Sequence, residues 1–295
     1  LFRSRPPCCG ANNCQPVCPI DAQYHGGIAV RQARAAGVKF QLNANVFQLE
    51  HDDKGRIVAA NYYDVDKNVH RVTGKTFIVA ANGIESPRLL LLSKSDKFKN
   101  GLCNEHDQVG RNLMDHPSTS LGFEADEDVW LGRGPQSPSS INAMRDGAFR
   151  SEHSPYRLDF TNMSRVDGAT SSLVKAGVYG KEFAEQLRRI SAREMSVKTV
   201  LEVLPNPENR IDLADEKDSM GIPKPRTHYK IEEYTYKGHL RAQKDFAKIA
   251  EIMGGTKLNW SKDRVYGNNE HICGTLSIGK RAEDSVVDQY GPVWD

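Results

Sequence analysis

Four thiols fall within the segment CCGANNCQPVCPIDAQY at residues 8–24: Cys8, Cys9, Cys14 and Cys18. Thiolates bind soft or redox-active metals, and close spacing lets one loop supply several ligands without closing a long stretch of chain. A zinc site usually pairs C-x-x-C-type spacings with a second pair of ligands downstream, and no second pair follows here. A terminal Cys18-Pro19 after short cysteine spacings is typical of iron–sulfur runs. Spacing alone leaves an iron–sulfur cluster, zinc and free buried thiols all open. The other two of the six cysteines, Cys103 and Cys273, stand alone and are expected to be small buried residues. Because the thiols are concentrated rather than spread along the chain, a disulfide scaffold is excluded as the organising principle.

Elements with real cores must hold such a segment in place. The chain has 295 residues, 38% hydrophobic and 26% charged, which is the composition of a globular protein of one large or two medium domains. A net charge of +2 and no basic run longer than a pair give no reason to expect nucleic acid. No apolar run approaches the roughly 20 residues of a membrane-spanning helix. The sequence begins at Leu1 and stops at YGPVWD, in what reads as the middle of a turn, so a fragment is expected.

The run GGIAVRQARAAG predicts a short helix over about Ile28–Ala36, closed by Gly37. Three β-rich runs follow, VKFQLNANVFQLEHD, GRIVAANYYDV and HRVTGKTFIVAA, separated by DDKG and DKN turns, and they predict an antiparallel meander. The continuous apolar stretch Phe77–Ala81 reads as a strand buried on both faces. It leads through NGIE into a helix with Ser86 as N-cap and Pro87 as first helical residue, a unit of the kind that sets backbone amides beside a phosphate or cofactor.

From about Glu124 the texture changes, with a loop RGPQSPSS, so a domain boundary is expected there. KEFAEQLRRI places Phe183, Leu187 and Ile190 on one helical face, and HLRAQKDFAKIAEIM places Leu240, Phe246, Ile249 and Met253 on another. EMSVKTVLEVLPNPENRIDLA and THYKIEEY read as strands around turns, which predicts a sheet with helices on one side.

The ordered motifs FIVAANGIESPRLLLLSKS, VGRNLMDHPSTSLGF, HICGTLSIG and VVDQYG, together with LPNPENRIDL, resemble the GMC (glucose–methanol–choline) flavoprotein oxidoreductases over nearly the whole chain. The opening segment is similar to the iron–sulfur insertion of that family's bacterial membrane-associated sugar, sugar-acid and polyol dehydrogenases. Two departures stand out. Asn82-Gly83 and Ser93-Lys94-Ser95-Asp96 replace the usual glycine-rich start and tail of one signature, and no G-x-G-x-x-G nucleotide loop occurs in the chain.

The resemblance implies an α/β FAD-binding (Rossmann-like) domain, incomplete, with an α+β substrate domain built on an antiparallel sheet. It divides the chain into 1–123 (FAD-binding part with the iron–sulfur segment 8–18), 124–270 (substrate binding) and 271–295 (return to the FAD domain). It implies FAD and a [3Fe–4S] cluster held by Cys8, Cys14 and Cys18, with Cys9 a bystander. His271 would be the general base that takes the substrate hydroxyl proton as hydride leaves for the flavin; histidine is the side-chain type that titrates nearest neutral pH. Gly110, Asn112, Met114 and His116 would pass against the flavin ring, although the same residues also read as a simple turn capped by Asp115 and closed by Pro117. Glu202, Asn209 and Arg210 are read as strand and turn residues.

The implied activity is oxidation of a hydroxyl of gluconate, 2-ketogluconate, sorbitol, fructose or glucose type, with electrons passing to a cytochrome c subunit. A small accessory subunit, membrane contact through partner subunits and the periplasmic face of the bacterial inner membrane complete the expectation. The rivals are an O₂-using oxidase of the same family and a zinc-stabilised binding module without redox chemistry.

Overall fold

The structure, a computed structural model, describes residues 5–12, 14, 17–136, 139–164 and 166–294. Asn13, Gln15 and Pro16 of the cysteine segment and Ser137 and Pro138 of the RGPQSPSS loop lie outside them. The described residues form two compact units that alternate along the sequence. Unit one takes those of Leu1–Val38, Pro117–Glu202 and Glu232–Asn269; unit two takes those of Lys39–His116, Val203–Ile231 and Glu270–Asp295.

Helix α1 (Gly26–Ala35) ends as its sequence predicts. The Gly37 and Val38 amides bond back to the Arg34 and Ala33 carbonyls, both at 3.0 Å, and so satisfy two carbonyls of the last turn. Strands β1 (Asn45–His51), β2 (Ile57–Tyr63) and β3 (Val69–Thr73) form the expected antiparallel meander, with Leu49 opposite Ala60 and Ala60 opposite Val72.

Phe77–Ala81 departs from the expected doubly buried strand. It pairs with no strand among the described residues, and Ile78 is 87% exposed. An apolar run becomes a buried strand only when neighbours pair with both its edges.

Helix α2 (Asn82–Leu92) begins at Asn82 and not at a Ser86 cap. The Asn82 carboxamide does the capping, its Oδ1 accepting from the amides of Ile84 (2.8 Å) and Glu85 (3.1 Å). Ser86 is instead buried within the helix, where its hydroxyl accepts from the Ala81 amide at 3.0 Å. Pro87 therefore lies in the helix interior, where it withholds the amide that would meet the Gly83 carbonyl. Ser93, in the tail that departs from the family pattern, is buried and accepts from the Leu49 amide (2.9 Å) while donating to the Leu89 carbonyl (2.7 Å). It clamps α2 to β1.

Strands β4 (Ser120–Glu124), β5 (Ser139–Ile141) and β6 (Tyr156–Phe160), helices α3 (Val166–Lys175) and α4 (Gly180–Arg193), and strand β7 (Glu194–Leu201) follow. Next come β8 (Arg210–Lys217), β9 (Pro223–His228), α5 (Glu233–Ile252) and β10 (Thr256–Trp260).

In unit one a five-stranded antiparallel sheet runs β10-β4-β7-β6-β5. Strand β7 alternates half-buried and buried residues along its whole length. Its buried side chains, with Leu121 and Phe123 of β4, pack against Ala242, Phe246 and Ala250 of α5. The helix turns the expected ridge to the sheet, with Phe246 buried and Ile249 and Met253 packed against the same core, but Leu240 is 40% exposed and the fully buried His239 and Ala242 join the ridge in its place. Small residues on that ridge let the helix lie close. Burial pushes the pKa of His239 down, and its Nδ1 stands 3.2 Å from the Thr119 hydroxyl.

In unit two the meander and α2 share a core of Leu49, Ala60, Leu90, Leu91, Val109 and Val286. Strands β8 and β9 do not join the sheet that contains β7, as the sequence led one to expect; they form a separate ribbon with Arg210 opposite His228. Arg88 of α2 secures that ribbon, donating to the Pro223 carbonyl (2.9 Å) and to the Asp218 carboxylate (2.7 Å).

Candidate active site

Unit two assembles the segment Gly110–His116 between two others. On one side the Gly110 carbonyl accepts from the Ile211 amide (2.9 Å) and the Leu113 amide donates to the Asn209 carbonyl (2.8 Å). On the other, the Gly110 amide donates to the Thr275 carbonyl (2.8 Å), and Met114 and Cys273 exchange both backbone bonds at 2.9 and 3.0 Å. The result is a short ladder.

Glycine is required where the ladder is tightest. Gly274 has φ 92°, and a Cβ there would overlap the Asn112 carbonyl oxygen. A Cβ on Gly110, at φ 88°, would strike the Ile211 carbonyl, so protein backbone fills that space. Asn209, fully buried, fixes the outer side through a reciprocal pair with Lys230: its Oδ1 accepts from the Lys230 amide (2.8 Å) and its Nδ2 donates to the Lys230 carbonyl (3.0 Å). Arg210 bonds Asp107 at 3.2 Å, and Glu202, in unit one, bonds Arg150 at 2.8 Å. All three residues have structural partners, as their sequence reading expects.

The start of α2 joins the same assembly. The Thr275 hydroxyl donates to the Gly83 carbonyl at 2.7 Å, the carbonyl that Pro87 leaves without a helical partner. Three of the motifs singled out in the sequence thus converge: Asn82–Pro87, Gly110–His116 and His271–Thr275.

At the open end of the ladder the His116 and His271 rings meet edge to face, with centroids 5.5 Å apart at 90°. Oδ1 of Asp115 accepts from the amides of both residues, at 2.7 Å from His116 and 2.9 Å from His271. The Tyr229 hydroxyl lies 3.3 Å from both the amide and the carbonyl of Asp115, and burial pushes the Tyr229 pKa up. His271 is exposed and His116 half-buried. Cys273 is exposed and Cys103 half-buried, which corrects the expectation that both are buried; the part of Cys273 that is covered still raises its thiol pKa. A flavin ring implied by the resemblance needs an apolar contact and hydrogen-bonding groups at its rim. The Met114 thioether, the Asn112 carboxamide and the two imidazoles are the side chains of those types on these segments.

The cysteine segment belongs to unit one and is held by polar bonds to a neighbouring loop. The Asn12 carboxamide donates to the carbonyls of Gly134 (2.9 Å) and Asn162 (2.7 Å), Gln136 donates to the Asn12 carbonyl (2.9 Å), and the Gly134 amide donates to the Gly10 carbonyl (3.0 Å). Amides also point at sulfur. The Gly10 amide lies 3.3 Å from Cys8 Sγ, and the amide of Gln23, then that of Ile20, hold the Cys18 thiol below its ordinary pKa. That donor chemistry fits a thiolate-bound cluster. The cysteines are free of disulfides, as ligands must be, and among the described residues no three His, Cys, Asp or Glu side chains are already gathered around a metal position.

Each unit also holds a cavity. In unit one about 430 Å³ opens beside Ser118, Ser120, Lys198, Ser261 and Tyr266. Ser120 lies opposite Lys198 and alternates with Leu121, so this is the sheet face turned from α5. In unit two about 720 Å³ opens beside Asn45, Tyr63, Arg88 and Met220 and contains none of the candidate residues. No described helix is long and apolar enough to cross a membrane.

Known proteins resemble this chain as follows. Two family profiles, both described as GMC oxidoreductase, match residues 9–118 and 205–295. The chain is 41% identical over 290 residues to the fructose dehydrogenase large subunit of Gluconobacter japonicus, covering 98% of this chain and 53% of that protein. It is 25% identical over 283 residues to 2-methyl-1,2-propanediol dehydrogenase of Mycolicibacterium austroafricanum, covering 89% and 49%. Formate oxidase of Aspergillus oryzae RIB40, solved in a study of FAD modification, superposes with a TM-score of 0.55 at 15% identity over 83% of this chain and 52% of that one. That likeness, with the antiparallel sheets, shows the fold class expected from the sequence: an α/β FAD-binding part with an α+β part. The chain spans about half the length of the curated relatives it matches.

Proposed function

The chain belongs to the GMC oxidoreductase family, and on that premise we propose that it forms part of the catalytic subunit of an FAD-dependent dehydrogenase acting on a hydroxyl of a sugar, sugar acid or polyol. The observation that carries the proposal is the pair of imidazoles held at 5.5 Å on a backbone ladder whose other residues suit a flavin rim.

FAD, when bound, supplies the acceptor for a hydride. The residues of this chain do the rest. His271, exposed at the end of the ladder, takes the hydroxyl proton of the substrate on a ring nitrogen. His116 holds the same hydroxyl or its neighbour by a hydrogen bond. Asn112 and Met114 line the flavin side, and Gly110 lets their segment lie close against Ile211.

Cys8, Cys14 and Cys18 are the proposed ligands of a [3Fe–4S] cluster, a group that would link two-electron flavin chemistry to a one-electron cytochrome c partner. The named relative is a large subunit, which supports further subunits. We place the complex, with a small accessory subunit, at the periplasmic face of the inner membrane, with membrane contact through its partners.

The test is anaerobic purification of the complete gene product with its neighbouring subunits, followed by flavin, iron and sulfide analysis, EPR, and a dye-reduction screen. The screen runs D-fructose, D-glucose, sorbitol, gluconate and 2-ketogluconate. About three irons per flavin with dye reduction by one of these compounds is the expected result. Flavin with rapid O₂ consumption and no iron would favour an oxidase, and zinc without flavin would overturn the redox reading.

A further inference from the structure

The ladder that carries the two histidines ends in an unusual way. Met114 and Cys273 form a pair that exchanges both backbone bonds. In that register, two residues further along each segment, His116 lies opposite His271. A regular antiparallel ladder would have these two exchange backbone bonds as well. Here both of their amides donate instead to one atom, Oδ1 of Asp115, at 2.7 and 2.9 Å.

One side-chain oxygen that accepts from two amides ties both of them to a single atom through its two lone pairs. It fixes the backbone of the two histidines relative to each other at the point where the ladder would otherwise fray. It also leaves the two side chains as cross-strand neighbours, which is how their rings come to meet edge to face. The Tyr229 hydroxyl, 3.3 Å from both the amide and the carbonyl of Asp115, braces the residue that supplies the oxygen.

We propose that Asp115 is a positioning residue for the two-histidine site, acting through its Oδ1 as the common acceptor that sets the distance and angle between the His116 and His271 imidazoles. The proposal rests on the reading of His271 as the proton acceptor. Proton transfer tolerates little misplacement, and an error of about 1 Å can lower the rate about a hundredfold. Asp115 touches neither substrate nor flavin in this scheme; its effect reaches the chemistry only through the two rings.

The experiment uses the complete gene product loaded with FAD, with D-fructose as reductant and ferricyanide as acceptor. It compares Asp115→Ala, Asp115→Asn and His271→Asn with the parent. Asp115→Ala is expected to lower kcat about tenfold to a hundredfold, with KM and flavin content little changed. Asp115→Asn keeps an oxygen acceptor at Oδ1 and is expected to recover most of that loss. Amide hydrogen exchange supplies a readout independent of turnover: peptides covering His116 and His271 should exchange faster together in Asp115→Ala and return toward the parent in Asp115→Asn.

An unchanged kcat in Asp115→Ala, or exchange that accelerates at only one of the two histidines, overturns the proposal. So does an Asp115→Asn variant as impaired as Asp115→Ala, since charge rather than a shared acceptor would then be at work. A His271→Asn variant with undiminished kcat overturns the base assignment instead, and the exchange data still decide whether the two amides are tied. If Asp115→Ala does not accumulate, Asp115→Glu shifts the carboxylate by one methylene and must lower kcat with KM held, or the proposal is wrong.

Discussion

The two-histidine ladder of unit two and the cysteine segment of unit one both carry chemistry-bearing side chains, and they are built in opposite ways. In the ladder, backbone bonds at 2.8–3.0 Å fix the segments, and the rings follow from the register. In the segment the loop is pinned at Asn12, amides point at sulfur, and the thiols stay ungathered. The difference fits the roles proposed for the two sites. Proton transfer needs its groups placed in advance, whereas a thiolate site can take its final geometry from the metal, because binding and folding are coupled.

The largest effect separates the two regions outright. His271→Asn is expected to lower kcat about 10²–10⁴-fold while leaving the iron content of the complete protein unchanged. Cys18→Ser should do the reverse to composition, removing iron and keeping flavin. A single variant that loses both iron and flavin would break the comparison, because the two regions would then be one cooperative structure.

A second test probes how rigid the ladder is. Gly274→Ala would drive a methyl group into the Asn112 carbonyl and force an L side chain to φ 92°. It is expected to cost about 3 kcal/mol, read as a lower urea midpoint. Gly37→Ala has open space around its Cβ and should cost about 1 kcal/mol through its φ of 87° alone. Equal losses at the two sites would mean that the ladder can shift to make room.

What the sequence allowed to be read follows the same line. The meander was legible because its turn signals and alternation are local, and α1 because Gly37 marks its end. His271, Asn112 and Met114 stand out by motif. The role of Asp115 does not, since it depends on the register of Met114 against Cys273, and nothing local encodes that pairing. Asn82 escaped notice because a Ser-Pro pair four residues on gives a stronger helix-start signal than an asparagine at positive φ. Phe77–Ala81 has the composition of a central strand, yet strand formation depends on partners that its own residues cannot specify. In α5 the apolar spacing marks Phe246, Ile249 and Met253, but only packing against β4 and β7 buries His239 and Ala242 and leaves Leu240 out. The chain changes unit at Lys39, Pro117, Val203, Glu232 and Glu270, whereas the sequence shows a change of texture only from about Glu124.

The thiols of the two regions offer a smaller, graded contrast. In Cys18 the amide of Gln23, then that of Ile20, favours the thiolate, so its charged form appears at lower pH than in an ordinary cysteine. In Cys273 burial disfavours the thiolate, so its charged form appears at higher pH. In metal-free protein near pH 7.5, iodoacetamide should therefore label Cys18 faster than Cys273, although Cys273 is the more exposed of the two. The gap should close as pH rises past the ordinary thiol range and both become thiolates. Faster labelling of Cys273 at the lower pH would mean that accessibility, and not the amides around sulfur, governs these thiols.

The smallest effect tests how the ladder is joined to α2. Pro87 has no amide, so the Gly83 carbonyl lacks its helical donor and takes the Thr275 hydroxyl at 2.7 Å instead. Thr275 is almost completely buried, so Thr275→Val should leave that carbonyl unpaired and cost about 1–2 kcal/mol. Pro87→Ala restores an amide one helical turn beyond Gly83. In that background Thr275→Val should cost less, with a coupling of about 0.5–1 kcal/mol in the double-mutant cycle. A coupling of zero would mean that the proline and the threonine are independent, and that the ladder rests on α2 through the packing of Ile272 against Gly83 alone. A clear coupling would mean that a helix imperfection and a motif hydroxyl compensate each other, which makes α2 part of the site's scaffold.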